Sequence, residues 1–217
     1  MATASAQEFA RFVRENLPLA PVPTVAEIRL HRAGPRSGLW RLAERNDEFA
    51  TPYWAYPWGG GLALARYVLD HPDTVAGRRI LDLGAGSGLV GIAAARSGAK
   101  SVLVADIDSY AASAARLNAA ANDVAIESVF GDLTQSAPPD VDLILIGDLF
   151  YEQALAEHVS SFLDRCLEAG IGALIGDPGR SFLPRSRLQL LAEYPGPDFG
   201  DGDRGTRARN AVFLFRA

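Results

Sequence analysis

Four aspartates stand at the ends of apolar runs, where carboxylates could hold a ligand or take part in catalysis. They are Asp82, Asp106, Asp132 and Asp148. The runs have the nearly continuous apolar character of buried parallel strands, and helical segments separate most of them. In parallel α/β sheets, ligands bind beyond the carboxyl ends of the strands. The sequence therefore predicts a rim of carboxylates around one ligand site.

A glycine-rich turn follows Asp82 and indicates the class of ligand. In the segment 80–91, I-L-D-L-G-A-G-S-G-L-V-G, a strand leads into a helix through Gly84, Ala85 and Gly86. Such a turn lets a ligand lie against bare backbone at a helix N-terminus. Gly86, Gly88 and Gly91 also match the G-x-G-x-x-G pattern of dinucleotide sites. A pyrophosphate would meet the like charge of Asp82, whereas S-adenosylmethionine (SAM) brings an ammonium and a sulfonium. SAM is the favoured ligand, and a nicotinamide dinucleotide is the alternative.

The next two carboxylates are placed to bind the adenosine part of such a cofactor. Asp106, about twenty residues past the glycines, can accept both ribose hydroxyls. Asp132 can accept a hydrogen bond from the adenine amino group, with Ile107 and Leu133 on either side of the ring. Each aspartate could instead cap a helix or form a turn, and Asp108 is interpreted in that way.

The last carboxylate carries the catalytic hypothesis. In G-D-L-F-Y-E, Asp148 is followed three residues later by Tyr151. For transfer of the SAM methyl group to an amine, we expect Asp148 to orient the amine and to stabilise the ammonium that develops on it. The aromatic rings of Trp54, Phe150 and Tyr151 should line the channel of the amine through cation–π contacts. The structural alternative is that Asp148 caps the following helix while Phe150 and Tyr151 pack in the core.

The composition argues against a metal-binding, a nucleic-acid-binding or a membrane protein. The 217 residues, 48% of them hydrophobic and 22% charged, suffice for one α/β domain. A net charge of -5 gives no general attraction to nucleic acid, and no apolar run is long enough to span a membrane. The single cysteine, Cys166, suits a reducing cytoplasm, and the three histidines lack metal-ligand spacing. We therefore expect no metal, no nucleic-acid partner and no membrane association.

Alternating apolar patterns predict a sheet covered on both faces, behind a short N-terminal extension. In the extension we expect a short amphipathic helix around Phe9, then a strand at 25–31 that forms a hairpin-like element with 39–42. The predicted core helices are 62–70, 89–97, 109–122, 153–168 and 185–192, and the predicted strands are 80–83, 101–105, 126–130, 141–146, 173–176 and 211–216. The last strand should be an antiparallel edge strand. We expect a single domain over 1–217, with the extension at 1–57 and a catalytic core at 58–217.

These segments resemble the class I, seven-stranded SAM-dependent methyltransferases, and within them the lysine methyltransferases of the electron-transfer flavoprotein β subunit. The resemblance rests on P-Y-W-A-Y-P-W-G-G-G at 52–61, L-D-L-G-A-G-S-G at 81–88, A-D-I-D at 105–108, G-D-L-F-Y-E at 147–152 and L-I-G-D-P-G-R at 174–180. It implies a Rossmann-like α/β fold with strand order 3-2-1-4-5-7-6, and an acid-x-x-aromatic site at Asp148 and Tyr151. The SAM contacts that it implies are Trp58, Asp82, Gly84, Gly86, Asp106 and Asp132, beside Ala85, Ile107 and Leu133.

The leading hypothesis is a protein-lysine N-methyltransferase that uses SAM, with S-adenosylhomocysteine as product, and acts on the flavoprotein β subunit. Alternatives are a methyltransferase of another protein such as a ribosomal protein, a methyltransferase of a small amine, a nicotinamide-dependent oxidoreductase and a noncatalytic SAM-binding module. A start without a basic leader favours a cytoplasmic, bacterial enzyme, which we expect to be a monomer. The segment 177–180, D-P-G-R, has two open interpretations, a structural turn and a substrate contact.

Overall fold

The computed structural model describes residues 3–34, 37–39, 51–198 and 209–216. The strands are β1 Leu19–Val22, β2 Val25–His31, β3 Arg79–Leu83, β4 Ser101–Asp106, β5 Glu127–Phe130, β6 Leu143–Gly147, β7 Gly172–Asp177, β8 Leu188–Pro195 and β9 Arg209–Phe215. The α-helices are α1 Thr3–Asn16, α2 Gly59–Asp70, α3 Leu89–Arg96, α4 Ser109–Ala121 and α5 Gln153–Glu168.

Seven of the strands form one sheet in the order β5-β4-β3-β6-β7-β9-β8. Numbered from β3, this order is 3-2-1-4-5-7-6, so the predicted topology is confirmed. Strands β3 to β7 are parallel, whereas β9 is antiparallel to both β7 and β8. The strand order reverses beside β3, which pairs with β4 on one side and β6 on the other. The carboxyl ends of these strands therefore open into the crevice where α/β sheets bind ligands.

Successive residues of the parallel strands point to opposite faces of the sheet, and each face carries its own apolar cluster. Ile80 of β3 lies in one cluster with Leu64 of α2 and Ile92 of α3. Leu81, the next residue, lies in the other cluster with Phe162 of α5. The prediction that helices cover both faces of the sheet is thus confirmed. None of the helices in the described ranges has the length and apolar character needed to cross a membrane.

The N-terminal extension forms a helix and a small separate sheet. Strand β2 pairs with β1, which precedes it in the chain. The predicted partner of 25–31 at 39–42 lies, apart from Leu39, outside the described part of the chain, so that pairing stays a prediction. Helix α1 contributes Phe9 and Val13 to a third apolar cluster, which also contains Ala111 and Ala114 of α4. The extension is thus packed onto the rest of the chain.

Two buried asparagines, Asn118 in α4 and Asn122 directly after it, tie β2 to the core. The Oδ1 atom of Asn122 accepts the Arg29 N–H at 2.9 Å, and its Nδ2 donates to Arg29 O at 2.6 Å. The Oδ1 atom of Asn118 accepts the His31 N–H at 2.8 Å, and its Nδ2 donates to Ser87 O at 2.9 Å. Asn118 therefore links the extension directly to the glycine-rich turn.

The C-terminal part differs from the prediction. The helix predicted at 185–192 is wrong, because Arg185–Arg187 form a single 3-10 turn and β8 follows at once. Pairing with β9 supplies the backbone hydrogen bonds of this segment and outweighs the helical propensity of its Leu, Gln and Ala residues. β9 is antiparallel as predicted. It is not an edge strand, however, because it lies between β7 and β8.

Replacement of Asn118 by Ala leaves the His31 N–H and Ser87 O without this partner. The protein should lose about 2 to 6 kcal/mol of stability, because each buried backbone group left unpaired costs about 1 to 3 kcal/mol. Urea unfolding followed by circular dichroism measures this change. Gln153 provides the control. Its exposed side chain donates a hydrogen bond to Glu157 of the same helix, and Gln153→Ala should change stability by less than about 0.5 kcal/mol. Equal stability of the two variants would contradict the role assigned to Asn118.

Candidate active site

The turn after β3 depends on left-handed backbone at Gly84, where φ is +67°. A Cβ atom at this position would also lie 2.6 Å from a leucine side chain. The N–H groups of Gly84 and Ala85 donate to Ala105 O at 2.9 and 3.1 Å, and the Gly86 N–H donates to Asp106 Oδ2 at 2.8 Å. The turn is therefore held against the end of β4 before it enters α3.

Asp82 lies beneath this turn and is 1% exposed. Its Oδ2 atom accepts the Gly91 N–H at 2.7 Å. Burial raises the pKa of Asp82 to about 7; the Gly91 N–H opposes this rise and the charge of Asp106 reinforces it. A nearby cation would stabilise the ionised carboxylate, whereas a phosphate would oppose it. The position of Asp82 thus favours a positively charged ligand group.

Three aspartates at the rim organise the backbone around them. Asp106 Oδ1 accepts the Asp108 N–H at 2.9 Å. Asp108 accepts the Tyr110 N–H at 2.8 Å and caps α4, as predicted. Asp132 Oδ1 accepts from the N–H and the Oγ1 of Thr134 at 2.9 and 2.6 Å. A carboxylate has about four lone-pair directions, so these contacts leave Asp106 and Asp132 able to accept further hydrogen bonds.

The aromatic, glycine-rich segment before α2 brings that helix onto the end of the sheet. A Cβ atom on Gly60 would collide with Gly176 O in β7 and would lie 2.7 Å from Asp148 Oδ2. The Gly61 N–H donates to the same Oδ2 atom at 3.0 Å. Asp148 therefore accepts a hydrogen bond at the N-terminus of α2, not at the helix that follows it, where Glu152 is the N-cap residue. The alternative in which Asp148 caps that following helix is wrong.

Asp148 also forms an ion pair that links three segments of the chain. It is 7% exposed, has left-handed backbone with φ of 59°, and its Oδ1 atom lies 2.8 Å from Arg180 Nη2. Arg180 in turn binds Asp198, with Nη2 at 3.0 Å from Oδ1 and Nη1 at 3.0 Å from Oδ2. Asp177 Oδ1 accepts the N–H groups of Gly179 and Arg180 at 2.6 and 2.7 Å. The D-P-G-R segment is thus a structural turn, and its arginine reaches the predicted catalytic acid.

Aromatic side chains cluster at the mouth of the site. Tyr53 and Tyr151 are 54% and 49% exposed. The ring of Tyr53 lies 5.7 Å from that of Trp58 and 6.3 Å from that of Tyr151, and Arg180 lies over the Trp58 ring at 5.9 Å. Faces of such rings attract cations, including ammonium groups. Tyr151 is therefore exposed beside the site, contrary to the alternative that it packs in the core.

The two other predicted channel residues are buried. Trp54 borders the cavity described below, packs edge-on against Phe9 at 5.4 Å, and has an indole Nε1 that is buried without a hydrogen-bond partner among the described residues. Phe150 is fully buried in the cluster that contains Phe162. It does not border the cavity, so its predicted place in the channel is wrong. Its ring shares that cluster with Ile146 of β6 as well.

These elements border an open cavity of about 1180 Å³ at the carboxyl ends of the parallel strands. It is larger than the roughly 300 to 1,000 Å³ of ordinary small-molecule sites. Its walls include every predicted site residue except Phe150, namely Trp54, Trp58, Asp82, Gly84, Ala85, Gly86, Asp106, Ile107, Asp132, Leu133, Asp148 and Tyr151. Within the described part of the chain, no group of three or more His, Cys, Asp or Glu side chains is arranged to hold a metal ion.

Among the residues at this cavity that were not predicted as site residues, four bear on the acceptor side. Phe9 of α1 and Tyr53 border it, as does Arg180, and Asp198 lies behind Arg180. The aromatic motif at 52–61 and the D-P-G-R motif contain two of these residues and were signals for them. Phe9 and Asp198 had no such signal in the sequence, because their neighbours in the site are distant along the chain.

Comparisons with known proteins agree with this fold. The family model of ribosomal protein L11 methyltransferase (PrmA) matches residues 64–165. A ribosomal protein L11 methylase from Lactobacillus delbrueckii subsp. bulgaricus superposes with a TM-score of 0.51 at 23% identity, covering 71% of this chain and 77% of that one. TrmN from Thermus thermophilus superposes with a TM-score of 0.54 at 23% identity, covering 72% and 49%. The sheet order, the glycine-rich turn and these structures define a class I methyltransferase fold.

Curated relatives narrow this class to one family. The electron transfer flavoprotein beta subunit lysine methyltransferase of Danio rerio is 38% identical over 203 residues, which cover 90% of this chain and 79% of that protein. Its counterpart in Rattus norvegicus is 40% identical over 197 residues, covering 87% and 76%. A Caenorhabditis elegans homolog is 34% identical over 184 residues, covering 77% and 75%. The chain belongs to the electron transfer flavoprotein beta subunit lysine methyltransferase family.

Adjacent glycines of α2 offer a matched test of the close helix–sheet contact. Gly60→Ala should destabilise the protein by about 1 to 3 kcal/mol or more, because the new methyl group must push α2 away from β7. Gly61→Ala meets nothing within 4 Å and should be neutral or stabilising by up to about 1 kcal/mol, since Ala favours the helix. Thermal and urea unfolding measure both. A Gly60→Ala variant as stable as Gly61→Ala would refute the contact.

The buried carboxylate predicts a pH-dependent stability. Because the pKa of Asp82 is raised from 3.8 to about 7, its contribution to stability is present below its unfolded pKa and is lost as the pH rises through about 7. Asp82→Asn keeps the acceptor for the Gly91 N–H. It should therefore be more stable than the wild type at about pH 8 by on the order of 1 to 4 kcal/mol, and nearly equal to it at about pH 4.

Urea unfolding at the two pH values measures this difference. The exposed Asp73 is the control. Asp73→Asn should change stability by less than about 0.5 kcal/mol at either pH. An Asp82→Asn variant with the same advantage at both pH values, or with none at the higher one, is incompatible with a buried charge at this position.

Proposed function

We propose that this protein transfers methyl groups from SAM to lysine side chains of the electron-transfer flavoprotein β subunit. One observation carries the proposal. Asp148 and the exposed rings of Tyr53 and Tyr151 border the same cavity as the glycine-rich turn. A long side chain entering from solvent can therefore reach the carboxylate past aromatic rings. The names of the relatives matched over most of the chain supply the class of acceptor.

The residues around the turn fit SAM. Gly86 leaves open space toward the cavity, since a Cβ there would meet its nearest neighbour, Trp54 Cα, only at 3.7 Å. The buried Trp54 Nε1 is a donor that a ligand carboxylate could satisfy. Asp82 and Asp106 supply negative charge for an ammonium and acceptors for ribose hydroxyls. When bound, SAM supplies an activated methyl group on a cationic sulfur. The negative rim disfavours the pyrophosphate of a nicotinamide cofactor.

The residues of the acceptor side position the amine. We assign to Asp148 the orientation of the acceptor nitrogen, and to Tyr53, Trp58 and Tyr151 the cation–π walls of its path. Transfer to an amine moves positive charge without creating more, so alignment of the reactants is the main requirement, and alignment contributes roughly 7 to 11 kcal/mol in model reactions. The fully buried Phe150 has no part in this path. We further propose that the protein acts as a monomer in a reducing cytoplasm.

The PrmA match does not make a ribosomal protein the better candidate. That match ends at residue 165 and begins at residue 64, so it leaves out the aromatic segment with Tyr53 and Trp58 as well as Arg180. The flavoprotein-methyltransferase relatives of three vertebrates align over 84% to 90% of this chain. A small amine needs an enclosed pocket, whereas Tyr53 and Tyr151 are half exposed.

Incubation of the purified flavoprotein β subunit with the protein and SAM tests the function. We expect mass increments of one or more methyl groups on a lysine-containing peptide. Asp148→Asn should lower the rate by about a hundredfold, because misplacement of the reacting atoms by about 1 Å has that effect, while SAM binding measured by calorimetry persists. Asp164→Asn, which alters an exposed ion pair with Arg187, should retain the wild-type rate.

Two outcomes would reject the proposal. The first is that the flavoprotein stays unmodified while, in a cell lysate incubated with the protein and labelled SAM, the label appears only in small solutes. This result would indicate a small-amine acceptor. The second is full methyl transfer by Asp148→Asn, which removes the assigned role of the carboxylate.

A further inference from the structure

The carboxylate assigned to the acceptor amine is already bound by a fixed cation. Arg180 Nη2 lies 2.8 Å from Asp148 Oδ1, and the Arg180 side chain is largely buried. The same guanidinium binds both oxygens of Asp198, so it is anchored on its far side. Its carbon Cζ lies 5.9 Å above the centre of the Trp58 ring. An acceptor amine entering the site would therefore meet a paired carboxylate and not a bare one.

The charged groups that face Asp148 come from several segments. Asp177 ends β7, Arg180 follows it, and Asp198 lies after β8; α2 contributes a backbone N–H. Burial raises the pKa of Asp148 to about 6, Arg180 opposes this rise and Asp177 reinforces it. Arg185 acts on Asp177 and opposes the rise of the Asp177 pKa. Arg180 is the cation in contact with Asp148.

A lysine acceptor must be neutral to react, because an ammonium has no lone pair for the incoming methyl group. The ordinary lysine pKa of about 10.4 leaves very little neutral amine at neutral pH. A carboxylate nearby raises that pKa further, whereas a cation within about 4 to 6 Å lowers it by roughly one to three pH units. An unpaired Asp148 would thus orient the amine and also hold it in its unreactive form.

We propose that Arg180 is a positioning residue whose positive charge offsets that of Asp148, so that the acceptor amine binds beside Asp148 in its neutral form. This inference rests on the proposed function. The proton of the lysine ammonium leaves to solvent before the transfer, so Arg180 itself gains and loses none. Arginine suits the position because its guanidinium stays protonated and its planar fork spans two carboxylates at once. The anchoring carboxylate of Asp198 keeps the guanidinium in place when the amine arrives.

The dependence of kcat on pH tests the inference, since it reports groups that titrate in the enzyme–substrate complex. For Arg180→Gln, the limb of the profile that rises with pH should move upward by about one pH unit. The rate at neutral pH should then fall about tenfold and recover at alkaline pH. Arg180→Lys keeps the charge and should retain most of the wild-type profile.

Two further variants separate charge from structure. Asp198→Asn removes a negative charge from the far side of Arg180 and should move the rising limb in the opposite direction, toward lower pH. Arg78→Gln changes an exposed arginine just before β3, at the end of that strand opposite the site, and should leave the profile in place. A merely structural role of Arg180 would lower kcat by the same factor at every pH.

A second measurement does not need activity. The carboxyl carbon of Asp148, labelled with ¹³C and assigned through Asp148→Asn, reports its titration by NMR. In Arg180→Gln this titration should move to higher pH than in the wild type. A pH-independent loss of kcat, or an Asp148 titration that stays in place, would overturn the inference. Failure of the wild type to methylate any protein rejects the proposed function instead, and the NMR titration then still decides whether Arg180 controls Asp148.

Discussion

The site depends on a backbone contact between α2 and the end of the sheet. Because Gly60 and Gly176 both lack side chains, the N-terminus of α2 comes close enough for the Gly61 N–H to reach Asp148. The same approach holds Trp58, the residue before the helix, at the wall of the cavity. An acid after β6 and an aromatic segment before α2, about ninety residues apart in the sequence, thus become parts of one site. Gly60 is therefore needed first for the close packing of α2 on the sheet. The chemistry of the site depends on that packing.

Local patterns were sufficient for most of the fold. The helix predicted at 153–168 has those bounds in the structure, because its apolar face repeats with helical spacing and packs on the sheet. The strand order was implied by family resemblance and not by any local pattern, since pairing between strands is nonlocal. Because local patterns do not show such pairing, the segment 185–192 was predicted as a helix. Its own residues favour a helix, and only the distant strand β9 makes it a strand.

The carboxylates of the site were predictable because position at a strand end is a local property. The orientation of the rings after Asp148 was not. Phe150 faces the core and Tyr151 faces the cavity, and in a short irregular segment no period indicates which of two adjacent rings turns inward. The arginine of the D-P-G-R motif was visible in the sequence without its partner. Its ion pair with Asp148 spans 32 residues, and the contact with Asp198 depends on a connection between two strands.

The insertion of β9 between β7 and β8 affects the order in which the site is completed during synthesis. β8 leaves the ribosome before β9, yet its neighbour in the sheet is β9. The nascent chain therefore carries a finished parallel half while β8 still has no strand beside it within the described sheet. Asp198 follows β8, so its contact with Arg180 depends on a strand whose only neighbour in the described sheet is translated last. We therefore expect the anchor of Arg180 to form after the whole sheet has been translated, whereas the strands of the cofactor side are translated first.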